Sequence, residues 1–264
     1  MDKKTTSRDG TSLAYEVTGQ GPTVILVSGA MSTGGTMAPL AQRLADRCTA
    51  VVYDRRGRGA SGDTKPYAVE REVEDLAALI DAVGGDAALF GVSSGGALVL
   101  RAAASGLETG RAAVYEVPYA DHLAGGAEQE AAYKERLNRA LSKDRRGDAV
   151  ELFLRLTGLG EQVIQGARQS PMWAGMEAVA PSLAYDDAVM GDGLAPRDVL
   201  AAVSVPVLAV AGGASPAWMR AASREIAETV PQGTYRELEG QTHMVEPEVL
   251  SPVLAEFFAG GAPA

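Results

Sequence analysis

Short apolar runs alternate with segments of helical periodicity along most of this chain. Runs typical of strands that are covered on both faces of a sheet occur at 23–27, 49–53, 87–90, 112–117 and 205–211, and a further strand is predicted at 234–238. Between these runs, apolar residues recur at the spacing of a helix face in 37–46, 69–83, 97–104, 216–229 and 247–258. Residues 3–7 and 11–18 flank Asp9-Gly10 and predict a β-hairpin with a type I′ turn. This alternation predicts an α/β fold in which a mostly parallel sheet carries helices on both faces.

The alternation stops between about residues 119 and 195. Helical spacing there predicts four helices, at 128–141, 145–156, 162–169 and 172–185, and no clear strand separates them. A helical block inserted into an α/β sheet is typical of a cap. We therefore predict an α/β core formed by 1–118 and 196–264, with a helical cap at 119–195.

Composition and charge narrow the classes of function. The chain has 264 residues and a net charge of −10, which argues against neutralisation of nucleic-acid phosphates. Its one cysteine, Cys48, excludes an internal disulfide and favours a reducing compartment. The polar N-terminus lacks the apolar core of a signal peptide, and no apolar run is long enough to cross a bilayer. We expect a cytoplasmic monomer or homodimer with neither a nucleic-acid nor a membrane partner.

The most informative motif is Gly91-Val92-Ser93-Ser94-Gly95, which lies between a predicted strand and a predicted helix. A Gly-x-Ser-x-Gly at such a turn is typical of a nucleophile elbow, in which the serine hydroxyl is exposed at the C-terminal end of the strand. The N-terminus of the following helix favours negative charge. Ser93 is therefore the candidate catalytic nucleophile.

A serine nucleophile needs a base, which is usually histidine, and the chain has only two histidines. His243 follows the predicted strand 234–238 and precedes the last helix, so a parallel sheet would bring it to the same edge as Ser93. His122 lies at the entrance to the helical block, where we favour a surface or cap role. His243 is the candidate base.

With these motifs the chain resembles the α/β-hydrolase family over nearly its whole length. Asp54-Arg55-Arg56-Gly57-Arg58-Gly59-Ala60-Ser61 is similar to the Asp-x-Arg-Gly-x-Gly-x-Ser segment of that family, and the stretch from Gly240 to His243 is similar to its histidine loop. The resemblance implies serine-dependent acyl chemistry that needs no metal and no cofactor. For the arginines of the first segment we favour a salt bridge to Asp54 over anion binding.

The loop after the strand 23–27 departs from the family pattern. It reads Ser28-Gly29-Ala30 where the family usually has His-Gly. Backbone N–H groups can form an oxyanion hole without that histidine, so Ala30 and Ser94 are the candidate donors. The Ser28 hydroxyl is a candidate contact for the substrate.

The position of the triad acid is the second departure. The family commonly carries Asp after the strand 205–211, but Ser215 stands near that position and the loop has no carboxylate. Some members take the acid from the strand that follows the nucleophile helix, where Glu116 interrupts an apolar run. A carboxylate in such surroundings is costly to bury without a partner. We predict Glu116 as the acid, with Asp121 as the alternative.

Apolar side chains of the cap are expected to cover the serine and to favour a small hydrophobic substrate. One helical stripe contains Leu152, Phe153 and Leu156. The candidate pocket residues are Met172, Trp173 and Met176 in the cap, together with Trp218 after the loop that lacks the acid.

Three functions are compatible with the sequence. The first is hydrolysis of an ester, thioester or lactone through an acyl-enzyme on Ser93. The second is a non-hydrolytic reaction on the same fold, such as acyl transfer, cyclisation or elimination in a biosynthetic pathway. The third, which the retained Ser93 and His243 disfavour, is a ligand-binding protein with an inactive triad.

Overall fold

The strands predicted from the alternation assemble into one sheet in the computed structural model, which describes residues 1–260. Its eight strands are β1 Lys3–Thr6, β2 Ser12–Gly19, β3 Thr23–Val27, β4 Thr49–Tyr53, β5 Ala88–Val92, β6 Ala112–Tyr115, β7 Val207–Gly212 and β8 Gly233–Leu238. The helices are α1 Ala38–Leu44, α2 Val69–Ala82, α3 Ser94–Ala104, α4 Gly126–Leu141, α5 Arg146–Leu156, α6 Glu161–Arg168, α7 Trp173–Val179, α8 Leu183–Met190, α9 Arg197–Ala201, α10 Ala217–Thr229 and α11 Pro247–Phe258. Over the described residues, none of these helices combines the length and apolar composition that a membrane span requires.

The sheet is parallel apart from its first strands. The strand order is β1-β2-β4-β3-β5-β6-β7-β8, and β2 runs antiparallel to both β1 and β4. All other neighbours pair in parallel. The predicted α/β class is therefore confirmed, and the C-terminal ends of β3, β5, β6, β7 and β8 lie along one edge.

Apolar side chains cover both faces of this sheet. Helices α2, α3 and α10 pack on one face, where Leu76, Leu98 and Ile226 are fully buried. Helices α1 and α11 pack on the other face, through residues such as Leu44 and Leu254. Strands covered on both faces lose nearly all contact with water, which explains their continuous apolar runs.

The segment between β6 and β7 forms a helical insertion, which we define as α4 to α8, residues 126–190. It has a hydrophobic cluster of its own, with Leu137, Val150 and Ile164 at its centre. Ala30, which follows β3, packs against that cluster. The assignment of 119–195 as a cap stays a prediction.

Two local predictions, the type I′ turn at Asp9-Gly10 and the single helix at 172–185, are wrong. In the N-terminal hairpin Gly10 has φ 87° whereas Asp9 does not have positive φ. Gly10 N–H donates to the Ser7 carbonyl, and Ser7 N–H donates to the Thr11 carbonyl. This is the three-residue loop with glycine in the left-handed region rather than the two-residue type I′ turn.

The predicted helix 172–185 is divided in two. Residues Ala180–Ser182 form a 3-10 turn between α7 and α8. Pro181 lacks a backbone N–H, and its ring clashes with the preceding helical turn, so an uninterrupted α-helix is unfavourable there. Helix α8 follows this break, and its Val189 belongs to the same buried cluster as residues of α3.

Candidate active site

Ser93 occupies a strained turn between β5 and α3. Its backbone has φ 56° and ψ −128°, a conformation that costs a non-glycine residue on the order of 1–3 kcal/mol. A β-carbon on Gly91 would lie 2.4 Å from the Gly95 carbonyl oxygen, and one on Gly95 would lie 2.4 Å from the Val27 carbonyl oxygen. The two glycines of the motif are therefore required by backbone packing, and they leave Ser93 at the strand end.

Glu116 and His243 are brought into contact at the same edge of the sheet. His243 Nδ1 lies 2.9 Å from Glu116 Oε2, and the backbone N–H of Gly212 donates to Glu116 Oε1 at 2.7 Å. Glu116 is completely buried, whereas the side chain of His243 is 38% exposed. An ionised carboxylate only accepts hydrogen bonds, so Nδ1 carries the proton and Nε2 is left as the acceptor.

The other candidates for acid and base lie elsewhere. Asp121 accepts from Ala195 N–H at 2.7 Å and from Arg197 Nη2 at 2.9 Å. Ser215 is buried, and its hydroxyl has no partner among residues 1–260. His122 pairs with Glu225 at the surface.

The loop that carries His243 is held by hydrogen bonds from the ends of β6 and β7. Tyr115 Oη donates to the Thr242 carbonyl at 2.6 Å. Ala214 N–H donates to the Gln241 carbonyl at 2.8 Å, and a β-carbon on Gly212 would lie only 2.3 Å from that carbonyl oxygen. The histidine loop thus rests directly on the backbone of the neighbouring strand end.

Ala30 and Ser94 lie beside Ser93 on the wall of one cavity. Within residues 1–260 the N–H groups of Ala30 and Ser94 have no protein acceptor, and Ser94 N–H is one of the unpaired donors of the first turn of α3. Free N–H groups beside a serine are the donors that an oxyanion hole requires. Ser28, by contrast, is completely buried and is not part of the described cavity wall, and its contact with a substrate stays a prediction.

The cavity has a volume of about 500 Å³ and extends from Ser93 into the helical insertion. Most of its surface is apolar. The apolar residues of its wall include Phe153, Leu156, Leu183 and Met190. Phe153 and Leu156 belong to the helical stripe that the sequence indicates in α5.

The four pocket residues predicted in the cap and after β7 are not part of the described cavity wall. Met172 is 75% exposed, and Trp173 is buried within the hydrophobic cluster of the insertion, against which Met176 also packs. Trp218 lies at the start of α10, beyond the loop that follows β7. Helical spacing identified an apolar face for the three cap residues but could not show which way that face is turned, and Trp218 was predicted only from its place next to the loop after β7.

The cavity wall also carries charged side chains, among them Glu130, Lys134 and Asp187. Lys134 Nζ lies 3.3 Å from Asp187 Oδ2 and donates to the Gly191 carbonyl at 3.2 Å. Burial, and to a lesser extent the charge of Asp187, raise the pKa of Glu130. Burial also raises the pKa of Asp187, although Lys134 opposes that shift.

Over residues 1–260, no group of three or more His, Cys, Asp or Glu side chains could hold a metal ion.

Comparison with known proteins decides the family. A model of the Alpha/beta hydrolase family matches residues 24–252. The chain belongs to the alpha/beta hydrolase family. An alpha/beta hydrolase from Sphaerobacter thermophilus DSM 20745 has a solved structure that is 51% identical, with a TM-score of 0.87, over 97% of this chain and 100% of that one.

Two further similarities concern esterases. A pimeloyl-[acyl-carrier protein] methyl ester esterase of Stenotrophomonas maltophilia is 42% identical over 91 residues, which are 34% of this chain and 34% of that protein. The chain thus matches about a third of the length of that curated relative. A thermophilic esterase from Thermogutta terrifontis shares the fold, at 24% identity and a TM-score of 0.74, over 98% of both chains.

In this alpha/beta hydrolase Asp54, the first residue of the arginine-rich segment, forms no ion pair with an arginine among residues 1–260. Asp54 Oδ1 accepts from Gly34 N–H, and its Oδ2 accepts from Ala60 N–H, both at 2.8 Å. The predicted salt bridge of Asp54 is therefore wrong. Its carboxylate holds two loop backbones instead.

Arg55 and Arg58 pair with carboxylates of helices α2 and α8. Arg55 Nη1 lies 2.8 Å from Asp186 Oδ1, and Arg58 Nη2 lies 2.7 Å from Asp186 Oδ2. Arg55 also forms two hydrogen bonds with Glu72. Asp186 was missed by sequence reasoning, although a pair of carboxylates at 186–187 inside a mostly apolar segment is a signal that could have drawn attention to it.

We expect Tyr115→Phe to lower the free energy of unfolding by about 1 kcal/mol, because the Thr242 carbonyl loses its donor. The measurement is urea denaturation. Tyr119→Phe is the matched control, since the Tyr119 hydroxyl is buried without a partner among the described residues and its removal should be neutral or stabilising. Equal losses in the two variants would contradict the assigned hydrogen bond.

Stability should also depend on pH through Glu130. A carboxyl whose pKa is raised in the folded state contributes stability below its unfolded pKa, and this contribution is lost as pH rises through the folded pKa. Glu130→Gln should therefore be more stable than the wild type at neutral pH, with a gain that shrinks below about pH 4. The measurement is the free energy of unfolding of the wild type and the variant at neutral pH and below about pH 4. Glu108→Gln, in an exposed loop, is the control. A gain independent of pH would refute the burial argument.

Proposed function

We propose that this protein is a serine hydrolase that cleaves an ester, thioester or lactone of a small hydrophobic substrate through an acyl-enzyme. The observation that carries the proposal is the contact between His243 Nδ1 and the buried carboxylate of Glu116, at the sheet edge where Ser93 occupies its strained turn. A buried carboxylate that orients a half-exposed histidine is the arrangement that activates a serine hydroxyl.

In the acylation step, His243 Nε2 takes the proton of Ser93 while Ser93 Oγ forms a bond to the substrate carbonyl carbon. The negative charge that develops on the carbonyl oxygen is stabilised by the N–H groups of Ala30 and Ser94. Collapse of the tetrahedral intermediate breaks the bond to the leaving alcohol or thiol, which receives the proton from His243. Glu116 stabilises the imidazolium that exists between these transfers.

In the deacylation step, His243 removes a proton from water, and the resulting hydroxide attacks the carbonyl carbon of the acyl-enzyme. Breakdown of the second intermediate releases a carboxylic acid, and the proton returns from His243 to Ser93. For a lactone, the acid and the alcohol remain in one product molecule.

The substrate class rests on the cavity wall and on the relatives. Phe153 and Leu156 give an apolar surface to the cavity that Ser93 also lines, which favours an apolar acyl or alcohol group. Among the similar proteins are a methyl ester esterase and, at the level of fold, an enol-lactonase from Burkholderia xenovorans LB400. Both names describe cleavage of a carboxylic ester bond.

A fluorophosphonate probe tests the nucleophile directly, because Ser93 Oγ would displace fluoride from phosphorus. We expect labelling of the wild type and none of Ser93→Ala, with both proteins folded by circular dichroism. A folded wild type that resists labelling and turns over no activated ester would refute the proposal. Single-turnover reactions of activated esters then distinguish two outcomes. In hydrolysis water releases the acyl group from Ser93, whereas in acyl transfer the acyl-enzyme persists until another acceptor is added.

Glu116→Gln should lower kcat on the order of 10²–10⁴-fold, because the amide presents the wrong hydrogen-bonding group to His243 or to Gly212. The measurement is steady-state turnover of an activated ester. Asp121→Asn and Ser215→Ala are the controls and should retain nearly all activity, since neither side chain contacts His243 among the described residues. Equal losses in all three variants would exclude Glu116 as the acid.

A further inference from the structure

We propose that Asp186, a carboxylate supplied by the helical insertion, is a positioning residue that orients both candidate oxyanion donors, the N–H groups of Ala30 and Ser94. The inference rests on the proposed function, because it assigns the residue that sets the geometry of the same site. It makes helix α8 part of the catalytic apparatus in addition to the cavity wall.

Asp186 joins three donors in the interior. Its Oδ1 accepts from Ser94 Oγ and from Arg55 Nη1, both at 2.8 Å, and its Oδ2 accepts from Arg58 Nη2 at 2.7 Å. The residue is only 4% exposed. Burial by itself would raise the pKa of Asp186, but the guanidinium groups of Arg58 and Arg55 outweigh it and hold that pKa below its usual value. The carboxylate is therefore ionised and fully engaged.

Arg58 links Asp186 to the peptide unit that carries the first candidate oxyanion donor, the Ala30 N–H. Its Nη1 donates to the Gly29 carbonyl at 2.6 Å and to the Ser32 carbonyl at 3.1 Å. The Gly29 carbonyl and the Ala30 N–H belong to one planar trans peptide unit, in which they point in opposite directions. A donor that fixes the Gly29 carbonyl therefore also fixes the direction of the Ala30 N–H.

Arg55 adds a second support to the same loop. Its Nη1 donates to the Ser28 carbonyl at 3.2 Å, in addition to its contact with Asp186. Arg55 keeps Glu72 as a second carboxylate partner. For Arg58, Asp186 is the carboxylate partner among residues 1–260, so Arg58 depends on Asp186 for its position.

The Ser94 side chain links Asp186 to the second candidate oxyanion donor, the Ser94 N–H. The Ser94 hydroxyl binds Asp186 Oδ1, and its N–H is the first of helix α3. The Ser93 carbonyl, in the peptide unit that contains the Ser94 N–H, accepts from Gly96 N–H at 2.9 Å. Asp186 thus connects the elbow with the loop after β3, and this connection refines the relative position of the two N–H groups.

The test compares Asp186→Asn and Ser94→Ala with Asp75→Asn. Asp75 is the matched control because it is equally buried and pairs with Arg56 through two hydrogen bonds, but it contacts neither Ser94 nor the loop 28–32 among the described residues. Two readouts are measured well below the melting temperature. They are kcat and KM for an activated ester, and the affinity for a trifluoromethyl ketone, which forms a tetrahedral adduct whose oxyanion occupies the same donors.

We expect Asp186→Asn to lower kcat and inhibitor affinity together by about 10-fold or more, with little change in KM, because an oxyanion donor acts in the transition state rather than on the bound substrate. Ser94→Ala should lower both by about threefold or more, and the double variant should lose no more than Asp186→Asn alone. Asp75→Asn should lose stability while it keeps both readouts.

Two results would overturn the inference while the proposed function stands. One is an active, labelled wild type in which Asp186→Asn affects kcat and inhibitor affinity no more than Asp75→Asn does. The other is a Ser94→Ala variant with the kcat and inhibitor affinity of the wild type. This result overturns the inference even if Asp186→Asn does not fold. A wild type without labelling or turnover would instead refute the proposed function, and the inference with it.

Discussion

The close approach of backbone at the ends of β3 and β5 is the constraint on which the rest of this structure depends. A β-carbon on Gly95 would collide with the Val27 carbonyl, so α3 can begin directly behind the strand end only because residue 95 is glycine. A β-carbon on Gly29 would lie 3.1 Å from Ser93 Cβ, which means that the loop carrying Ala30 runs against the serine itself. The separation between the candidate nucleophile and the candidate oxyanion donors is thus set by backbone contact. Side chains refine it but do not create it.

The position of Glu116, the candidate acid, also depends on contacts between neighbouring strand ends. Ser93 N–H donates to the Tyr115 carbonyl, and Glu116 N–H donates to the Val210 carbonyl, both at 3.0 Å. Glu116 therefore comes from the strand next to the elbow, and the main chain fixes its register relative to Ser93. The usual acid of the family would follow β7, one strand further away. Here that strand end supplies the Gly212 N–H that satisfies Glu116 instead, so the carboxylate is buried without an unmet acceptor.

Sequence pattern predicted the parts of this molecule that depend on local periodicity and on short motifs. The strands and most helices follow from apolar runs. Ser93 is indicated by the Gly-x-Ser-x-Gly motif, His243 by its loop after a predicted strand, and Glu116 by its interruption of an apolar run. The pocket side chains could not be predicted in this way. Met172 and Phe153 both lie on apolar helix faces, but only the three-dimensional packing of the insertion turns Phe153 toward the cavity and Met172 toward solvent. The partners of Arg55 and Arg58 could not be predicted either, because Asp186 is more than a hundred residues away in the chain and only the tertiary fold brings it into contact with them.

The helical insertion contributes to the site in two physically different ways, and these place different constraints on it. Apolar wall residues such as Phe153 and Leu156 act through shape and volume, and substitutions that conserve volume are tolerated at such positions. Asp186 acts through charge, since Arg58 would otherwise be buried beside α8 without a carboxylate, and an unpaired buried charge is strongly destabilising. The position of α8 is therefore held by these ion pairs as well as by the packing of Leu183 and Val189, whereas α5 can vary in the side chains that it presents to the cavity. Under the proposed function, this division allows the substrate preference to change through α5 while the geometry around Ser93 is preserved through α8.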